Sequence, residues 1–126
     1  MFLSYSCDSI FIEADNPRAL ADWYKEKFGF REYSVKAGEF DSDEIPPGSV
    51  VVGANKNEAA MVIAPRRADQ PPPATVPVIF ASNVTDAYRK LVANGVNADP
   101  IQDDSGDRRF FEIHDAENNL VEICQE

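Results

Sequence analysis

The sequence predicts an α+β fold in which two βαβββ modules form a curved mixed sheet around a cleft, and an internal repeat is the first reason. Residues 9–14 alternate apolar and polar, Asn16-Pro17 open a helical stretch, and Gly29 stops it. Residues 76–81 alternate again, Asn83 opens a second helical stretch, and Gly95 stops that one. The second reason is that each copy continues into short strand-like runs instead of more helix. The third is size. With 126 residues at 44% hydrophobic composition, the chain makes one domain, 1–126, and either module alone would be marginal. The modules are expected over about 1–64 and 76–126, joined by the Pro-rich linker 65–75.

Each element has a local cause. Asn16 can cap the first helix through its side-chain oxygen, and Pro17 sits where a missing amide costs nothing. Leu20, Trp23, Tyr24 and Phe28 make one apolar stripe, while Arg18, Asp22, Lys25 and Glu26 face water. Residues 30–35 read as a strand, and the polar segment 36–49 as a long loop of the kind that covers a cleft. Residues 50–53 and 59–63 read as a hairpin around Asn55-Lys56-Asn57. In the second copy Asn83 caps, Asp86 can reciprocate, and Val84, Ala87, Tyr88, Leu91 and Val92 form the buried stripe. A strand near Val96-Asn97, a polar loop at 102–107 and a final hairpin, 109–114 with 120–124, complete the chain.

Charge and cysteine usage exclude several classes. Twelve basic against twenty-two acidic residues give a formal net charge of −10, which repels nucleic-acid phosphates and anionic membranes. No apolar run is long enough to span a bilayer, and the opening residues do not read as a secretory signal. Cys7 and Cys124 make no disulfide framework, so reduced thiols in a cytoplasm are expected. There is no Gly-rich phosphate loop, no zinc spacing, and a single histidine. The partners expected are a small-molecule ligand, favoured as cationic by the acidity, and a second copy in a homodimer.

Strand alternation assigns the cleft. If Ile10, Ile12 and Ala14 pack on the helices, Cys7, Ser9, Phe11 and Glu13 face the cleft, joined by Val76, Val78 and Phe80. In the final hairpin Phe111, Ile113, Val121 and Ile123 belong to the helix side. Phe110, Glu112, His114, Leu120, Glu122 and Cys124 then face the cleft. With 115–119 as the turn, His114 lies opposite Leu120 and Glu112 opposite Glu122. Two opposed carboxylates are destabilising unless something lies between them, and their proximity favours the protonated form of one, as in a general acid or base. The competing reading leaves both glutamates splayed into water on an exposed rim. Arg108 and Arg109 could pair with them or remain solvated.

The segments ADWYKEKFGF, VTDAYRKLVANGV and RFFEIHDAENNLVEI, in that order, resemble the vicinal oxygen chelate superfamily of glyoxalases, bleomycin-resistance proteins and extradiol dioxygenases. The last segment is similar to that family's F-x-x-D-P-D-G-N-x-x-E hairpin, with Ala116, Glu117 and Asn118 in place of Pro, Asp and Gly. The resemblance implies a divalent metal held on inner strand faces, with the first ligand seven positions before the helix cap. That position is Ser9 in the first copy and Val76 in the second, residues 59–63 offer no ligand, and only Glu122 matches. The resemblance therefore implies a relative without the usual metal or other cofactor, of the kind that sequesters a ligand. The expected ligand-binding residues are Ser9, Phe11, Glu13, Val76, Phe80, Phe110, Glu112, His114 and Glu122. The alternative is a lyase or isomerase with Glu122 as catalytic base, aided by a non-standard metal on Glu112, His114 and Glu122. An accessory domain without a ligand is the third reading.

Overall fold

The computed structural model describes residues 3–7, 10–33, 48–54, 61–66, 76–103 and 109–126. Strands β1 (Tyr5–Cys7) and β2 (Ile10–Ala14) precede helix α1 (Pro17–Phe28), which β3 (Arg31–Tyr33), β4 (Val50–Gly53) and β5 (Met61–Pro65) follow. The second copy runs β6 (Val78–Ala81), helix α2 (Val84–Ala93), β7 (Asn97–Ala98), β8 (Gln102–Asp103), β9 (Arg109–His114) and β10 (Leu120–Gln125). The first sheet has the order β2-β5-β4-β3 and the second β1-β6-β10-β9-β7, with β8 on β9. Both are mixed and neither closes. In each copy the opening strand lies parallel to the closing strand, β2 on β5 and β6 on β10, so the two copies share one topology.

The helices form where their caps allow. The Asn16 side chain accepts from the Ala19 amide at 3.1 Å, and Gly29 closes the helix at φ 73°, a left-handed value that disfavours residues with a Cβ. Asn83 accepts from the Asp86 amide at 3.1 Å. Leu20, Ala21, Tyr24 and Phe28 bury the inner face of α1, and Val84, Ala87 and Leu91 that of α2. Trp23 is partly buried, packed edge-on to Tyr24. Val92 departs from expectation: it is 45% exposed, because it lies at the rim of a stripe centred on Val84, Ala87 and Leu91.

Alternation holds in β2 and in the final hairpin up to Cys124, which is buried beside Ile123, whereas β4 is buried throughout. Ile10, Ile12 and Ala14 are buried while Phe11 is 43% exposed, and Phe111, Ile113, Val121 and Ile123 are fully buried. The opening strand is not one continuous element, however. Its first part, β1, pairs antiparallel with β6 of the second sheet, and its second part, β2, pairs with β5 of the first. Cys7 therefore lies in register with Ile79, where a single unbroken alternation would have placed it on the face of Phe80. Cys124 is buried and free.

Three boundaries also shift. Pairing in the second copy begins at Val78, because Pro77 has no amide for a ladder and contributes only its carbonyl, which accepts from the Glu122 amide at 2.9 Å. Gln102 and Asp103, expected in a loop, pair with Phe110 and Arg109. Pro65, expected to open the linker, instead closes β5 opposite Ala14. Ser9, Arg108, the turn at 55–57 and most of the 36–49 and 65–75 segments lie outside the described residues.

Candidate functional site

The open face of the second sheet gathers most of the expected site residues in three rows. One row sets His114 between Leu120 and Asn97. The next sets Glu112 opposite Glu122, with Val78 beyond. The third runs Phe110, Cys124, Phe80 and Ser6. Directly opposed residues in antiparallel strands have Cβ atoms roughly 4.5–5.5 Å apart, so Glu112 and Glu122 are immediate neighbours. Phe80, Phe110, Glu112, His114 and Glu122 are all half-buried. The Nδ1 atom of His114 is buried and has no hydrogen-bond partner among the described residues. An acceptor-or-donor nitrogen, two carboxylates and two phenyl rings thus share one face, chemistry suited to a flat ligand carrying N–H or cationic groups.

Other expected members lie elsewhere. Phe11 and Glu13 are on the first sheet, in register with Val62 and Ala64. Val76 precedes β6 and is 40% exposed, displaced from the strand by the proline that follows it.

A second cluster, unforeseen from the residues, ties the final hairpin to the first copy. Asp115 is buried and accepts from the Tyr24 hydroxyl at 2.9 Å, from the Glu117 and Asn119 amides at 2.9 Å, and from the Asn119 side chain at 3.1 Å. Glu117 in turn accepts from the Asp15 and Asn16 amides at 2.7 and 2.8 Å, and Asn119 donates to the Glu13 carbonyl at 3.1 Å. Arg66 bridges Asp15 and Glu117. Burial raises the Tyr24 phenol well above its ordinary pKa, and the Asp115 charge adds to it. Partial burial pushes the Glu117 carboxyl up, but the Asn16 and Asp15 amides and Arg66 outweigh it and leave it lowered. The one available signal was Tyr24 itself, a phenol in an apolar stripe whose buried hydroxyl needs a partner.

The family model for the Glyoxalase/Bleomycin resistance protein/Dioxygenase superfamily matches residues 7–123. The chain belongs to this superfamily. A search of curated proteins gives no match. Among solved structures, a superfamily member from Sphaerobacter thermophilus superposes with a TM-score of 0.73 at 17% identity, covering 95% of this chain and 96% of the other. TnmS3, an antibiotic-binding protein from a Streptomyces species, gives 0.67 at 17% identity over 94% and 93%. The lactoylglutathione lyase of Agrobacterium tumefaciens gives 0.66 at 16% identity over 94% of this chain and 91% of the other. At these identities the likeness establishes the glyoxalase-type fold alone.

The superfamily's divalent metal does not fit the donor set at hand. Val76 offers no donor atom, and β5 presents Met61, Val62, Ile63, Ala64 and Pro65, none of them a hard ligand. Among the described residues no three His, Cys, Asp or Glu side chains converge as a metal site, and that includes Glu112, His114 and Glu122.

Proposed function

We propose that this chain is a small-molecule-binding protein of the bleomycin-resistance type, which holds a cationic or aromatic organic ligand on the open face of its second sheet without a metal. The observation that carries the reading is the opposed pair Glu112 and Glu122 beside the buried, unpartnered Nδ1 of His114. A ligand cation between the opposed carboxylates is attracted by both, and a turn of the His114 ring would bring its buried nitrogen to a ligand N–H or O–H group. Phe80 and Phe110 supply flanking aromatic surface. The likeness to an antibiotic-binding protein supports the same reading.

The test is a thermal-shift series on chelator-treated protein with bleomycin and a panel of cationic aromatic antibiotics. Binding adds RT ln(1 + [L]/Kd) of stability, about 2.7 kcal/mol at a hundredfold excess over Kd, and so raises the melting temperature. Shifts that appear only after a divalent metal is restored would sink the metal-free reading. The second reading, a lyase or isomerase with Glu122 as base, draws on the same carboxylate pair and predicts turnover that Glu122→Gln abolishes.

A further inference from the structure

We propose that Asn94 is a modification site, where the side-chain amide is lost spontaneously through a ring formed with the next residue, and that Lys27 restrains the reaction. Asn94-Gly95 is the only Asn-Gly step in the chain. The step is a by-product of capping. Helix α2 ends on Asn94, and Gly95 follows at φ 85°, a left-handed value that favours glycine. The residue that stops the helix is therefore also one whose nitrogen no side chain of its own shields. Val92, Ala93, Asn94 and Gly95 are all exposed, so water reaches the step.

The chemistry needs only water and a solvent base. The Gly95 nitrogen gives its proton to the base and attacks Asn94 Cγ. The new N–C bond closes a succinimide ring as the Cγ–Nδ2 bond breaks and ammonia leaves. Water then opens the ring at either carbonyl. Opening at Cγ gives aspartate. Opening at the main-chain carbon gives isoaspartate, whose backbone runs through the side chain and is longer by one methylene. Nothing is oxidised or reduced in either step.

The folded geometry sets the pace. Asn94 sits at φ −91° and ψ 10°, which turns the Gly95 nitrogen away from Cγ. The ring closes only after the last turn opens and that peptide rotates, a local opening that a helix end at the surface undergoes far more readily than the core. Three groups resist it. The Gly95 amide donates to the Val92 carbonyl and the Val96 amide to the Leu91 carbonyl, both at 3.0 Å. Lys27, near the end of α1, donates from Nζ to the Asn94 carbonyl at 2.7 Å, a short charge-assisted bond. That bond joins one helix from each copy of the repeat, and the rotation has to break it. The products strain the same junction. A carboxylate at the C-terminal end of α2 opposes the helix dipole, and isoaspartate displaces the carbonyl that Lys27 holds.

Incubation of the folded protein in mildly alkaline buffer, well below its melting temperature, followed by peptide mass mapping, tests the assignment. The peptide holding Asn94 should gain one mass unit before any other asparagine peptide does, and protein isoaspartate methyltransferase should label it. The modified chain should melt at a lower temperature than the fresh one. Lys27→Met should speed the loss at Asn94 about tenfold, the scale set by one hydrogen bond to a charged group. Asn97, three residues on, is the control for general loosening, and its rate should stay the same in that variant. Survival of Asn94 in the folded chain while other asparagines react would overturn the site. An unchanged rate in Lys27→Met, or equal acceleration at Asn97, would overturn the restraint.

Discussion

At Asp115 four hydrogen bonds converge on one buried carboxylate, and the only side-chain hydroxyl among the donors belongs to Tyr24, 91 residues earlier in the chain. Hydrogen bonds to charged groups contribute about 1.5–3 kcal/mol, so Tyr24→Phe should cost that much in a urea titration. Asp115→Ala should cost more, because it also leaves the Tyr24 hydroxyl and two turn amides without their acceptor. The acidic face calls for the opposite pattern. Glu122→Gln should change stability by no more than about 1 kcal/mol, with any gain coming from relief of the opposed pair, and should weaken binding of a cationic ligand at least tenfold. A clear loss of stability in the free protein would mean that the interactions Glu122 makes outweigh the cost of its opposition to Glu112. The opposition of Glu112 and Glu122 was readable beforehand because a strand's period is two and the turn at 115–119 fixes the register. The role of Asp115 was not, because a short polar residue after a strand signals a turn and says nothing about a phenol far away in sequence.

At the scale of elements, the turn between β9 and β10 acts as a clamp on the entrance to α1, where Glu117 accepts from the Asp15 and Asn16 amides. Glu32 plays a similar part at the surface, paired with Arg18 and Lys25. The hydrogen bond from Arg18 is the largest influence drawing its pKa from 4.5 down to about 2. Both carboxyls titrate lower in the folded chain than in the unfolded one. Their contribution is fully present above pH about 4.5 and is lost as pH falls, toward about 2 for Glu32. The urea midpoint should therefore fall between pH 5 and 2.5, and Glu117→Gln should flatten that slope while lowering stability at pH 7. Helix boundaries and caps were legible because Asn16, Pro17, Gly29 and Asn83 act locally. The division of the opening strand into β1 and β2 was not, since the change of sheet depends on which edge each half meets and leaves no periodic trace. Pro77 is an intermediate case: its missing amide was visible in the sequence and explains why Val76 stands outside β6, yet alternation alone carried the strand through it.

For the whole molecule, two copies of one topology joined through β1 place an acidic, aromatic face on the second sheet and leave Phe11 exposed on the first. No helix among the described residues is long and apolar enough to cross a membrane. We propose that the chain pairs as a homodimer, which would cover exposed apolar surface and strand edges that one short chain leaves open. Sedimentation at micromolar concentration should then give twice the 14.0 kDa of one chain, and a single-chain mass would count against pairing. The superfamily was legible in the order of three segments. The ligand was not, because recognition depends on the shape of a face assembled from strands distant in sequence. The most direct test of the account is an NMR titration of chelator-treated, ¹⁵N-labelled protein with bleomycin. Saturable shifts should appear at the amides of Phe80, Phe110, Glu112 and Glu122 and at the His114 ring nitrogens. Shifts confined to other residues, or none until a divalent metal is added, would contradict it.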